Sequence, residues 1–324
     1  MRSSGTAIRG GRGWSGPCSH RPSLGPLRAS PVDVAAFAKQ TRSSRLVPPP
    51  PKLRGEYGSN KRSYVEEYDV REAETLAETD MVSPVVVTKI IESLAIGHFQ
   101  ELSGDRSDVP RSAEMKDLDL TFMLSRITFS FADLPSTSDT IEAETCFKPQ
   151  KVSFKRDFAV RNKTAGGAAV AAATSTYVLV NFKTRKLSIA PKEMVDQYAD
   201  FSTKDSSILG ASLPRKGKLA SLSPDDAEVC SSYVVEASDI DLNGHVGASV
   251  YIHWILDSAV AQGQRLDKIS SLDVEYKQEC FLGERIQCLT RSQDAEDGSG
   301  REIDHLVQTE EGNVLLRARS SFHA

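Results

Sequence analysis

One segment of this chain repeats another. Shifted by 161 positions, Asp80 falls on Asp241, Val85 on Val246, Thr88 on Ser249, and Ile90, Ile91 and Leu94 fall on Tyr251, Ile252 and Ile255. Both segments read as a turn feeding a helix whose apolar face keeps the same register. The order of elements around them repeats as well. The first unit reads as a strand over 62–76, a helix over 84–102, strands over 120–131, 140–147, 153–161 and 168–182, and a short helix over 191–198. The second reads as a strand over 232–239, a helix over 248–260, and strands over 271–281, 284–293, 302–309 and 313–322. The strands are rich in β-branched and aromatic residues, and the gaps carry Pro, Gly, Asn or Ser.

One long helix per antiparallel sheet, twice over, predicts an α+β layer architecture. A tandem (double) hotdog, each a mostly antiparallel sheet wrapped around a central helix, fits that count. The expected units are 55–200 and 229–324, joined by a Ser/Asp/Lys/Gly/Pro linker over 201–228.

Residues 1–54 are different material. They hold 10 Lys+Arg, one acid (Asp33), 8 of the 15 prolines, 8 serines and 6 glycines, ending in Pro48-Pro49-Pro50-Pro51. Such a stretch cannot bury enough apolar surface to fold. It has the composition of a transit peptide, plastid rather than mitochondrial, and lacks the apolar run of a secretory signal. The remainder carries 30 basic and 43 acidic residues, a charge of −13, which gives no reason to expect a nucleic-acid partner. No run of about 18 apolar residues exists to span a membrane. The five cysteines (Cys18, Cys146, Cys230, Cys280, Cys288) form no C-x-x-C pair and no zinc spacing, so reduced thiols and no metal are expected.

The chemistry-bearing residues are not duplicated. Across the 161-residue shift Asn243 meets Val82, His245 meets Pro84 and Glu279 meets Leu118. Asp241, Asn243 and His245 are spaced i, i+2, i+4, and an extended segment would turn all three to one side. An acid, an amide and an imidazole ahead of a helix suit acid–base work. The first N–H groups of that helix, near 246–248, are expected to hold an oxyanion. Each residue also has a plainer reading: Asp241 or Asn243 as a helix cap, His245 as a turn residue, Glu279 as a solvated strand residue, Cys280 as a small buried hydrophobe.

The strings SDIDLNGHVGASVYIHWILDSA (238–259) and LDVEYKQECFLGERIQCLT (272–290) resemble the C-terminal half of plant-type acyl-acyl-carrier-protein thioesterases. That family's pattern is D-x-N-x-H-V-x-x-x-x-Y-I-x-W-I-L-[ED]-S, then E-Y-x-x-E-C. A fainter similarity runs through YDVREAETLAETDMVSP and YVLVNFKTRKLSIAP, so the resemblance covers about residues 60–323. It implies tandem hotdogs, a transit peptide, and hydrolysis of fatty acyl-acyl carrier protein in the plastid stroma, ending fatty-acid synthesis. The family's catalytic residues fall on Asp241, Asn243, His245 and Glu279, and the cysteine of an alternative papain-like scheme falls on Cys280. The family's usual N-Q-H-V-N-N reads Asn243-Gly244-His245-Val246-Gly247-Ala248 here.

The expected mechanism has Glu279 as general base or nucleophile, His245 carrying the proton, and Asp241 and Asn243 orienting them, with no cofactor. The acyl chain is expected in an apolar tunnel lined mainly by the first unit, with Ile91, Leu94, Val246 and Gly247 against substrate. The acidic carrier protein would dock on a basic patch among Lys151/Lys155/Arg156, Arg161/Lys163, Lys183/Arg185/Lys186 and Arg215/Lys216/Lys218. A non-catalytic acyl-binding hotdog and a hydratase are the rival readings. Strand parity turns Cys280 inward and Glu279 outward, unless a bulge near Gln278 reverses the two.

Overall fold

The computed structural model describes residues 55–57, 62–76, 79–107, 109–150, 153–198, 208–209, 213, 217–223, 225–295 and 298–324. The basic leader over 1–54, half of the 201–228 linker, and Lys151, Arg215 and Lys216 lie outside the described residues.

The strands are β1 (Glu56–Tyr57), β2 (Ser63–Asp69), β3 (Leu120–Phe131), β4 (Thr140–Pro149), β5 (Phe154–Asn162), β6 (Ala168–Asn181) and β7 (Lys186–Ser188), then β8 (Glu228–Val234), β9 (Ile269–Tyr276), β10 (Arg285–Asp294), β11 (Gly300–Thr309) and β12 (Val314–His323). The helices are α1 (Pro84–Ser103), α2 (Ala113–Asp117), α3 (Lys192–Gln197) and α4 (Ala248–Ala261). The start of α1 is written locally: Ser83 accepts from the Val85 N–H at 3.3 Å, and Pro84 occupies the first position, where a missing N–H costs nothing. Gly104 ends it in the left-handed region, φ +69°. Its buried stripe of Val87, Ile90, Ile91 and Leu94 packs inside the sheet, as Tyr251, Ile252 and Ile255 of α4 do in the second unit.

All the strands form one antiparallel sheet. The first unit runs β2-β4-β5-β6-β3 and the second β8-β10-β11-β12-β9, the same order strand for strand. The hotdogs join edge to edge through β3 and β9, with Thr128 opposite Asp273. Across that seam Arg126 grips Asp273 with two hydrogen bonds, 2.8 and 2.5 Å, and both side chains are buried.

The duplication reaches individual hydrogen bonds. Val70 N–H donates to Asp139 O at 2.9 Å, as Val235 N–H does to Glu284 O at 2.9 Å. Val82 N–H reaches Pro135 O (2.7 Å) where Val246 N–H reaches Cys280 O (2.9 Å), and Ser83 N–H reaches Glu74 O (3.0 Å) where Gly247 N–H reaches Asp239 O (3.1 Å). Val82 therefore corresponds to Val246, an offset of 164, and Pro135 to Cys280, an offset of 145. The 161-residue shift is three residues off at the helices. A helix repeats every 3.6 residues, so a slip of three leaves its apolar stripe nearly in place. The larger change comes from the link that follows the long helix, which contains α2 and spans 104–119 between α1 and β3 but only 262–268 between α4 and β9. His245 therefore matches Met81, not Pro84, and Glu279 matches Leu134, not Leu118.

Further expectations change. The strand expected over 271–281 ends at Tyr276. Lys277 and Gln278 N–H both donate to Leu315 O, at 2.8 and 3.2 Å, so the chain leaves its ladder with one residue extra. Glu279 and Cys280 thus sit in a connection where strand parity does not hold. The strand expected over 62–76 stops at Asp69 and gives way to a 3-10 turn at Glu72–Glu74. The short elements α2 and β7 have too few residues for periodicity to reveal them.

Candidate active site

The segment before α4 is a tight turn, not the extended run expected from its spacing. Asp241 N–H donates to His245 O at 2.8 Å, and Gly244 N–H to Asp241 O at 3.0 Å. Gly244 sits at φ +85°, where a side chain would be strained. The Asp241 carboxylate holds the turn together, accepting from Asn243 N–H at 2.7 Å and from Asn243 Nδ2 at 3.1 Å. The turn brings the three residues together where a strand would have only aligned them. Neither Asp241 nor Asn243 caps α4; its N-cap is Gly247.

His245 lies between two carboxylates. Its Nδ1 is 3.7 Å from Asp241 Oδ1 and 3.4 Å from Val246 O, and its Nε2 is 3.7 Å from Glu279 Oε1. Glu279 is also ion-paired with Arg185, which arrives from the β6–β7 turn of the first unit. Arg185 has φ +59°, so the turn presents its side chain from an unusual backbone conformation. The site thus contains groups from both units.

A cavity of about 860 Å³ opens from these groups. Its wall carries Asp241, Asn243, His245, Val246, Gly247 and Glu279 from the second unit, and Ala95, Ile96, Phe99, Phe122, Leu124 and Tyr177 among others from the first. Phe122 packs edge-on against Phe99, Phe147 and Phe154, which gives the inner wall its shape. Ile91 and Leu94 do not reach this wall. They are 1% and 0% exposed, on the neighbouring stripe of α1 that faces the common core.

Cys280 also stays off the wall. It is fully buried, and burial together with a hydrogen bond to Glu284 pushes its thiol up to about 12. A thiol held protonated in this way is a poor nucleophile. The expected oxyanion donors are largely engaged: Val246 N–H by Cys280 O and Gly247 N–H by Asp239 O. Among the described residues, no acceptor takes the Ala248 N–H, while the Ala248 carbonyl accepts from Tyr276 OH at 3.2 Å.

Sequence reading missed Glu92. It follows Ile90 and Ile91 on α1, lines the cavity, and faces the Ser249 hydroxyl and N–H in the first turn of α4. Burial pushes its carboxyl up to about 7. An acid next to Ile90-Ile91 was the available signal, but nothing in the sequence gives it a partner 157 positions away.

The basic clusters separate. Arg156 is buried, hydrogen-bonded to His98 Nδ1 at 2.8 Å, so it belongs to the interior. Arg161 is taken by Glu142 and Glu144, and Lys163 by Glu67. Lys183 pairs with Asp119, while Lys186 is exposed beside Arg185 and Leu187 at the cavity mouth. Among the described residues no helix is long and apolar enough to cross a membrane.

Residues 61–198 match the acyl-ACP thioesterase N-terminal domain and residues 222–324 the C-terminal domain. A chloroplastic dodecanoyl-[acyl-carrier-protein] hydrolase of Cinnamomum camphora is 26% identical over 242 residues, 74% of this chain and 62% of that protein. A chloroplastic palmitoyl-acyl carrier protein thioesterase of Cuphea hookeriana is 24% identical over 233 residues, 72% of this chain and 55% of that protein. The chain thus spans a little over half the length of these curated relatives. Among solved structures, the 12:0-ACP thioesterase of Umbellularia californica aligns with a TM-score of 0.71 at 24% identity, covering 83% of this chain and 96% of that one. That likeness is one of fold.

Proposed function

The chain belongs to the acyl-ACP thioesterase family, and from that membership we propose that it hydrolyses the thioester of a fatty acyl-acyl carrier protein, releasing free fatty acid. The observation that carries the reading is the cavity: an apolar wall supplied mostly by the first unit, ending on His245 between two carboxylates.

Arg185 engages the Glu279 carboxylate in a charge-assisted ion pair. His245 is therefore the group that takes a proton from water. The water oxygen attacks the thioester carbonyl carbon, and its proton passes to Nε2. The imidazolium so formed lies between Asp241 and Glu279, at 3.7 Å from each. When the tetrahedral intermediate collapses, the C–S bond breaks and His245 returns the proton to the departing thiolate. Asp241 and Asn243 hold the ring's turn, and Ala248 N–H is the backbone donor for the oxyanion.

The carrier protein docks at the β6–β7 turn, where the exposed Lys186, next in sequence to the cavity-lining Arg185 and Leu187, offers a strongly acidic partner complementary charge. The acyl product would leave fatty-acid synthesis. Two supports point to the plastid: the composition of residues 1–54, and the relatives named chloroplastic.

The test is release of free fatty acid from acyl carrier protein thioesters of several lengths by the purified chain. Cys280→Ala is expected to keep turnover within about tenfold, roughly 1.4 kcal/mol in barrier. Binding of acyl carrier protein without release would favour a non-catalytic acyl-binding role. Full loss of turnover in a normally melting Cys280→Ala would revive the cysteine scheme.

A further inference from the structure

Hydrolysis as proposed above leaves the oxyanion short of donors. Of the three N–H groups at the start of α4, Val246 and Gly247 already bond to carbonyls, and the next in line, Ser249, is directed at Glu92. Only Ala248 remains, whereas sites that stabilise a tetrahedral oxyanion commonly supply two donors. The first unit brings a second one. Glu92 reaches across from α1 to the first turn of α4 and lines the cavity beside Asp241, Gly247 and Ala248.

The groups that act on Glu92 disfavour its ionised form or act weakly, and Arg156 of β5, a buried cation on the same cavity wall, is hydrogen-bonded to His98. Asp241, from the turn before α4, repels a second negative charge. Tyr177 of β6 and Tyr276 of β9 face it as half-buried phenols, whose desolvation holds them in the neutral form. Lys89, on α1 itself, is exposed and is the weakest influence. Among the described residues no cation forms an ion pair with Glu92. Ser249 and, more weakly, Lys89 favour the carboxylate, and burial outweighs them.

We propose that Glu92 is a further catalytic residue of this site: in its neutral form its carboxyl O–H donates a hydrogen bond to the thioester carbonyl oxygen as charge develops there, while Ser249 fixes the group in place. The inference rests on the hydrolytic reading above. A carboxylic acid kept neutral by an apolar site is a competent donor of this kind. It transfers no proton, so the water, sulfur and His245 steps are unchanged. The site thereby becomes incomplete without the first unit.

Three variants separate this role from mere support of α4. Glu92→Ala removes the donor and should lower kcat about 10²- to 10³-fold with KM changed only a few-fold. Glu92→Gln keeps both an acceptor for Ser249 and an N–H donor for the substrate, so it should retain kcat within about tenfold. The pH profile is the decisive readout. The parent should lose turnover as pH rises through about 7 and Glu92 ionises, and Glu92→Gln, which cannot ionise, should lack that decline. The inference fails if Glu92→Ala stays within threefold of the parent, if Glu92→Gln shows the parent's alkaline decline, or if Glu92→Gln is as inactive as Glu92→Ala. His245→Ala is the control. Loss of turnover there, with Glu92→Ala at the parent level, defeats Glu92 alone. A parent that releases no fatty acid defeats the hydrolytic reading and takes this inference with it.

Discussion

The two hotdogs follow the same path down to matched hydrogen bonds, yet they carry different residues at the same places. Where the second unit has His245, Glu279 and Cys280, the first has Met81, Leu134 and Pro135. Leu134 is buried, whereas Glu279 lies at the cavity. The first unit in turn supplies most of the cavity wall, Arg185 against Glu279, and Glu92 against α4. A duplicated backbone thus fixes where groups can stand without fixing what they do. Two half-sites facing each other across one seam are free to specialise, the second supplying His245 and Glu279 and the first most of the wall together with Glu92 and Arg185.

The sharpest way to break this contrast is to alter the matched pair Met81 and His245. His245→Ala should cost about 10²- to 10⁴-fold in kcat, the range of a general acid–base group. Met81→Ala should leave kcat within a few-fold. Equal losses in the two variants, scored by fatty acid release, would show that the matched positions Met81 and His245 are not functionally distinct.

The seam itself comes next. Asp273→Ala strands the Arg126 guanidinium, and removing one partner of a buried pair destabilises by about 3–5 kcal/mol. Urea melts should reveal that loss, with both units unfolding together because one sheet runs through them. A loss below about 1 kcal/mol would mean that the seam holds by strand pairing alone.

Both units bury a neutral histidine. His305 lies between Ser258 Oγ (3.0 Å) and Ser320 Oγ (2.8 Å), and burial pulls it down to about 3; His98, against Arg156, is also held well below its usual value. The unfolded chain protonates these rings below about pH 6.5, and the folded chain does not. Stability is therefore full above that pH and falls as pH drops, by up to about 1.4 kcal/mol per unit for each ring. His305→Asn and His98→Asn should each flatten the decline in Tm between pH 6.5 and 5. An unchanged slope in either variant would remove that ring from the account.

The smallest expected effect distinguishes wall from core within the first unit. Phe122→Ala should shift the preferred acyl length with turnover changed less than about tenfold, because the side chain borders the cavity. Leu94→Ala should lower stability by about 2–5 kcal/mol and leave the length profile alone, because its side chain packs in the core. A profile shift in Leu94→Ala but not in Phe122→Ala would overturn the assignment of the wall.

The sequence by itself determined the duplication, the paired long helices and the order of elements along the chain, because apolar periodicity and turn residues are local signals read within about a dozen positions. It also marked Asp241, Asn243, His245 and Glu279 as a set present in one copy only. Their arrangement was decided elsewhere. The turn at Gly244 and the ladder exit at Gln278 override the strand parity that an extended chain would obey, and a slip of three residues is invisible along a helix face. The partners of the site come from the other unit: Arg185 lies 94 positions from Glu279, and Glu92 faces Ser249 only because β3 pairs with β9. A polar side chain carries no mark of which distant group will meet it. That contact exists only once the seam has closed and water has left the cavity wall.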